Sequence, residues 1–245
     1  MIKKILLTTA SFSFLSLNTA HGVSTEAKEV IGKVAVEYLK NNPEAFAEII
    51  VAVQAHGQKE QEKKQSEKLD QYKSELFDHS NGTPFLGNPE GKTEMVVFMD
   101  PFCGYCRKFE GTLREAVEAN KDLKIIARDI AFMHEKSLML VQATIAASKQ
   151  GKYAEMQSET HKVDPTVTQE DVFKVAKDLG MNVTQFKKDM ESKETEALIK
   201  NNMDLADGID LTATPTFVVK GVSKIISGAL PLEELQKLLK GEVTS

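Results

Sequence analysis

Apolar positions recur along the chain with two different periods, and the period makes the first division. From residue 25 to residue 80 the spacing is helical. Ile31, Val34, Tyr38 and Leu39 form one stripe, and Phe46, Ile49, Ile50 and Val53 form a second. Asn42 and Pro43 separate them, a capping side chain followed by proline at a first helical position. From Gly57 to Lys68 the run GQKEQEKKQSEK is almost entirely polar and reads as a solvated helix face. Leu69, Tyr72 and Leu76 then resume a narrow stripe. An amphipathic helix must bury its stripe, so residues 25–55 are expected to pack on a second copy of the chain, or else to fold back on the rest of it.

Beyond residue 80 the pattern changes. SNGTPFLGNPEG, residues 80–91, is dense in Gly, Pro and Asn and reads as a linker, with a globular domain opening after it. MVVFM at 95–99 reads as a fully buried strand, residues 107–120 as a helix, and LKIIARDIA at 123–131 as a second strand. Strand, helix, strand is a βαβ unit, which implies a parallel pair and a right-handed crossover. The middle is helical. Residues 136–149 are rich in Leu, Met and Ala, and Thr168 caps a helix to about Leu179, with Glu170 in its first turn and Gly180 as its stop. Shorter helices are expected near 184–190 and 193–207. Met133, Met139, Met156, Met181, Met190 and Met203 read as core filler. TFVVK at 216–220 is a strand, Gly221 and Val222 a turn, and SKIIS at 223–227 its hairpin partner; Pro231 opens a last helix, LEELQKLL. The fold class is α/β, in the order βαβ, helices, ββα.

Composition adds limits. The 245 residues are 41% hydrophobic and 27% charged, which is ordinary globular material. The net charge of −5, with no basic patch, argues against nucleic acid as a partner. The first 22 residues carry Lys3 and Lys4, an apolar stretch from Ile5 to Leu17, and small residues at Ala20 and Gly22. That is the layout of a secretory signal peptide. It is short for a spanning helix, which needs about 20 residues, although a retained N-terminal anchor is the other reading. The expected location is the periplasm, with envelope association left open.

Export changes how the two cysteines are read. They stand three apart, Cys103-Gly104-Tyr105-Cys106. A structural staple over so short a loop would stabilise little. Zinc needs about four ligands, and no second pair is present, so neither a metal nor a cofactor is expected. A C-x-x-C pair beside a βαβ unit is a redox motif. Cys103 falls at the helix start and Cys106 one turn in, and residues three apart on a helix meet at about 5–6 Å between Cβ atoms. The positive helix N-terminus stabilises a thiolate. Cys103 is therefore expected to be the exposed nucleophile, and Cys106 the covered, resolving thiol. His79, His134 and His161 read as surface or capping residues, since a lone histidine is not a site.

VFMDPFCGYCRKF, followed far downstream by TPTFVV, resembles the thioredoxin-like Dsb families. The helical stretch at about 133–208 resembles the insertion of the DsbA architecture. The N-terminal YLKNNPEAF resembles members of the ScsC type, some of which oligomerise through that region. The resemblance implies a thioredoxin-like fold with an inserted helical domain plus an N-terminal helical extension. The implied parts are a signal peptide at 1–22, a helical oligomerisation segment at 23–81, and a thioredoxin-like domain at 82–245. It also implies that Gly104, Tyr105, Thr214 and Pro215 support the cysteines. Pro215 would be cis, turning the Thr214 backbone toward an incoming peptide.

There is one departure: Val97 stands where many relatives carry a buried acid, and the nearest acid is Asp100. The Gly-Tyr dipeptide and the threonine before the proline are similar to the DsbC isomerases. The implied activity is thiol–disulfide exchange on unfolded or misoxidised exported proteins. The isomerase or reductase form would be a homodimer or homotrimer recycled by a DsbD-like membrane partner. The alternatives are a DsbA-like dithiol oxidase served by a DsbB-like partner, and a non-enzymatic chaperone or surface protein.

Overall fold

The computed structural model describes residues 24–242. The expected signal peptide at 1–22 lies outside the described residues. The chain divides into two compact units, Met1–Gly57 and Gln58–Ser245.

The described part of the first unit holds α1 (Thr25–Asn41) and the opening turns of α2 (Pro43–Phe77). Ser24 caps α1, its hydroxyl accepting from the Ala27 N–H at 3.2 Å. Asn42 serves both helices. Its side-chain amide donates to the Tyr38 carbonyl at 2.8 Å, and its own carbonyl accepts from the Phe46 N–H at 3.3 Å. No residue of α1 is buried, and Val30, Ile31, Val34, Tyr38, Phe46 and Ile50 stay exposed.

The second unit runs β1 (Phe85–Gly87), β2 (Thr93–Met99), α3 (Gly104–Ala119), β3 (Leu123–Asp129), α4 (Ser137–Ser148), α5 (Tyr153–Thr160), α6 (Gln169–Asp178), α7 (Val183–Met190), α8 (Lys193–Gly208), β4 (Thr216–Val219), β5 (Ile226–Ser227) and α9 (Leu232–Leu239). The strands form one sheet in the order β1-β3-β2-β4-β5. β2 and β3 are parallel, as the βαβ reading requires, and the other pairs are antiparallel.

The run MVVFM is apolar on both sides because both sheet faces are covered. Met95, Val97 and Met99 face a core with Phe109 and Leu113 of α3 and Leu235 and Leu238 of α9. Val96 and Phe98 face a second core with Leu69 and Leu76 of α2 and Leu205 of α8. A third core, around Leu140, Met156, Val172 and Phe186, belongs to the helices inserted between β3 and β4. Asp129, at the end of β3, joins that insertion to the sheet. Its buried carboxylate accepts from the Thr144 hydroxyl at 2.7 Å and from the Tyr153 hydroxyl at 3.0 Å.

Several expectations are corrected. The linker at 80–91 contains β1, an edge strand that buries only Leu86 of its three residues. It ends at Gly87, where φ is +87° and a Cβ would lie 2.3 Å from the Leu123 carbonyl oxygen. The hairpin partner of β4 is two residues long rather than five, because pairing is confined to Thr216–Ser227 and Phe217–Ile226. The α6 reading holds: Thr168 is the N-cap and Glu170 lies in the first turn, and the cap is completed by a reciprocal pair between Thr168 and Asp171.

The division between the two units falls at Gly57/Gln58, within α2. The Leu69–Tyr72–Leu76 stripe packs into the sheet core, and Arg128 of β3, fully buried, ties down the end of α2. Its guanidinium donates to the carbonyls of Glu75 at 2.7 Å and Leu76 at 3.1 Å, and to the Asp78 carbonyl. These satisfy groups that a helix C-terminus leaves without intrahelical partners. Burial pulls the Arg128 guanidinium down to about 10, which leaves it charged at neutral pH.

Candidate active site

Cys103 is the N-cap of α3 and Cys106 sits in its first turn. From Cys106 the apolar stripe continues through Phe109, Leu113 and Ala116, which turns this face of α3 into the core. Cys106 is therefore fully buried, and burial pushes its thiol well above the ordinary thiol range. Both cysteines are free thiols. The Cys103 sulfur accepts from the Cys106 N–H at 3.4 Å and donates to the Thr214 carbonyl at 3.1 Å. The Thr214–Pro215 bond is cis, and the loop Thr212–Thr214 is brought against the cysteine pair. The six residues singled out in the sequence thus come together at one end of α3.

The expected exposure of Cys103 needs correction. Only 3% of the residue is accessible, because Thr214 and the first turn of α3 enclose it. Its access is through a cavity of about 620 Å³, lined by Cys103, Gly104, Tyr105, Lys108, Phe132, Met133 and Thr212–Thr214. Tyr105 is 68% exposed at this rim, with the Lys108 ammonium 5.9 Å from its ring centroid. Phe132 and Met133 are also exposed. Met133 is therefore part of the cavity wall and not core filler. The other methionines of that group are buried or packed against the cores at Met139, Met156, Met181, Met190 and Met203.

The insertion holds the approach to Cys103. Phe102 packs against its core and lies 4.5 Å from the His134 ring. Arg107 donates to the Pro101 carbonyl at 3.1 Å and to the Val163 carbonyl at 2.8 Å. Asp100 is fully buried, and its carboxylate accepts hydrogen bonds from both sides of the cavity entrance. Sequence reasoning missed Phe132, met Arg107 only as a source of positive potential near the pair, and met Asp100 only as the nearest acid and as part of the approach to the pair; the tripeptide Asp100-Pro101-Phe102 before Cys103 was the available signal for Asp100. His161, read as a surface or capping residue, is the C-cap of α5 and is buried rather than at the surface, with Nδ1 3.5 Å from the Glu110 carboxylate. Among the described residues no group of three or more His, Cys, Asp and Glu is placed to hold a metal ion.

The thioredoxin family model matches residues 79–241. The chain belongs to the thioredoxin family. Among solved structures, this thioredoxin-family chain is 30% identical to a thioredoxin-like oxidoreductase from Silicibacter pomeroyi. That match covers 68% of this chain and 95% of that one at a TM-score of 0.62. The thiol-disulfide exchange protein alpha-DsbA2 from Wolbachia pipientis is 21% identical over 75% of this chain and 98% of that one, at a TM-score of 0.68. Proteus mirabilis ScsC in a transitional conformation is 20% identical over 90% and 96%, at 0.63. The fold is thus that of the DsbA-like and ScsC proteins, with the insertion and helical extension that the sequence implied. The first of these solved proteins is described as an oxidoreductase and the second as a thiol-disulfide exchange protein. Curated relatives include the Na(+)/H(+) antiporter NhaA 1 of Mycobacterium sp. (strain KMS), 26% identical over 140 residues, 55% of this chain and 23% of that protein. The chain spans about a quarter of the length of those relatives.

Proposed function

We propose that the chain carries out thiol–disulfide exchange on exported polypeptides through Cys103 and Cys106, in the isomerase or reductase direction. One observation carries the reading. The Cys103 sulfur sits at the opening of α3 with a backbone N–H aimed at it, and it borders an apolar cavity wide enough for a peptide segment.

The Cys103 thiolate attacks one sulfur of a client disulfide. A mixed disulfide forms and the second client sulfur leaves as a thiolate. Transfer of the mixed disulfide to another client thiolate returns Cys103 unchanged, and the client is isomerised. Alternatively Cys106 loses its proton and attacks the Cys103 sulfur. The client then departs with both sulfurs reduced, and the two electrons it gains leave Cys103 and Cys106 as a disulfide. A membrane dithiol donor of the DsbD-like class would restore the pair. Burial of Cys106 keeps its proton in place during the first step, which lengthens the life of the mixed disulfide and favours isomerisation.

The Gly104-Tyr105 dipeptide and Thr214 before Pro215 support the same direction. The exposed stripe of α1 and the start of α2 supports self-association as a homodimer or homotrimer, which would set more than one active site around a client. The signal-peptide layout of residues 1–22 supports a periplasmic location. Thiol trapping of the pair in producing cells tests the direction. A mostly reduced pair is expected, whereas a mostly oxidised pair would replace this reading with a dithiol oxidase. Unchanged biological activity in a Cys103→Ser, Cys106→Ser double variant would replace it with a binding role.

A further inference from the structure

Asp100 ends the approach from β2 and lies three residues before Cys103, with no exposed surface. A carboxylate withdrawn from water is costly unless hydrogen bonds replace its hydration. Here the replacement is complete. One oxygen accepts from the Phe102 N–H at 2.8 Å and from the Ser137 hydroxyl at 3.0 Å. The other accepts from the Phe132 N–H at 2.7 Å and from the Met133 N–H at 2.9 Å. The donors come from the loop into Cys103, from the turn that leads from β3 to α4, and from Ser137, the first residue of α4.

The cysteine loop and the turn do not depend on the carboxylate equally. The cysteine loop has other ties: the Cys103 N–H donates to the Asp100 carbonyl at 3.0 Å, and the thiol donates to Thr214. Phe132 and Met133 place both of their backbone donors on the Asp100 carboxylate, while their side chains stand exposed in the cavity that Cys103 borders. Loss of the carboxylate would therefore free that wall before it freed the sulfur.

We propose that Asp100 is a positioning residue for client capture. Its carboxylate fixes Phe132 and Met133 as an apolar wall against which the polypeptide flanking a client disulfide packs. The inference rests on the reading that Cys103 attacks client disulfides. It adds a substrate class to that reading: extended segments with a bulky apolar side chain next to the cysteine. A small disulfide needs only the sulfur, while a polypeptide needs the sulfur and the wall.

The test uses the full chain and two substrates, a small aromatic disulfide and a peptide disulfide with an apolar residue beside its cysteine. Asp100→Asn keeps the volume but sets an amide N–H₂ against backbone donors. It should raise KM for the peptide about tenfold, while kcat and the small-disulfide rate fall less than about threefold. Phe132→Ala, at an exposed side chain, should raise the peptide KM in the same way. The double variant should exceed Asp100→Asn by no more than about twofold, since both act through one wall. Equal losses on both substrates in Asp100→Asn, or multiplied losses in the double variant, would overturn the positioning role. An unchanged peptide KM in Phe132→Ala would overturn it even where Asp100→Asn does not fold. A wild-type chain that exchanges with neither disulfide would remove the proposed function as well; a wild type active on both confines any failure to Asp100.

Discussion

The thiol of Cys103 donates to the carbonyl oxygen of Thr214 at 3.1 Å, across 111 positions of sequence. This contact joins the opening turn of α3 to the loop that enters β4, so each half of the sheet contributes one wall of the site. It also explains how a sulfur can be enclosed and still border an open cavity. The backbone of Thr214 covers it on one side, and a client that reaches it must take the place of that carbonyl contact.

The two thiols differ in surroundings more than in sequence. Cys106 is sealed in the core and burial holds its proton, while Cys103 borders the cavity. Alkylation at neutral pH, followed by peptide mapping, should label Cys103 at least about tenfold faster than Cys106. Equal labelling rates would contradict the assignment of nucleophile and resolving thiol.

Acid sensitivity should arise in part at Glu94. Burial works to raise its carboxyl, but hydrogen bonds from Lys220 and Lys124 outweigh that and hold it below its ordinary value of 4.5. A depressed carboxyl stabilises the fold fully above its unfolded value, and the contribution fades as pH falls through the folded one. Glu94→Gln leaves the buried Lys124 ammonium, 3.2 Å away, without its counter-charge and should cost about 3 kcal/mol at pH 7. Urea unfolding at a series of pH values should show the gap between wild type and variant closing below pH 4.5. A gap that stays constant down to pH 3 would exclude Glu94 as a source of acid sensitivity.

Self-association should depend on the first unit. Val30, Ile31, Val34 and Tyr38 are exposed along α1, and burying such a stripe between copies is its most direct use. Deletion of residues 23–55 should yield a monomer that still reduces insulin. Sedimentation of the full-length chain as a monomer would end this part of the account.

How much could be read from the sequence follows from where each signal is written. β2 is legible because MVVFM is buried on both faces, and α3 because Phe109, Leu113 and Ala116 repeat at helical spacing behind Cys106. β1 is hidden because a single leucine, Leu86, is its only buried residue inside a Gly- and Pro-rich stretch. Arg128 leaves no local signal: in LKIIARDIA it resembles any charged strand residue, and its carbonyl acceptors lie about fifty positions upstream. Met133 looks like the other methionines until the turn after β3 sets it in the cavity wall. The cysteine pair was legible because its chemistry constrains residue type and spacing, and Thr214-Pro215 was legible through the resemblance to the Dsb families. Phe132, Asp100 and His161 take their roles from tertiary neighbours.

Mixed-disulfide trapping tests the central claim most directly. The Cys106→Ala variant, incubated with a scrambled disulfide protein, should accumulate a reductant-sensitive adduct through Cys103, because the attacking sulfur is kept and the resolving one is gone. Cys103→Ala should form none. An adduct formed equally well by Cys103→Ala, or by neither variant, would contradict the account.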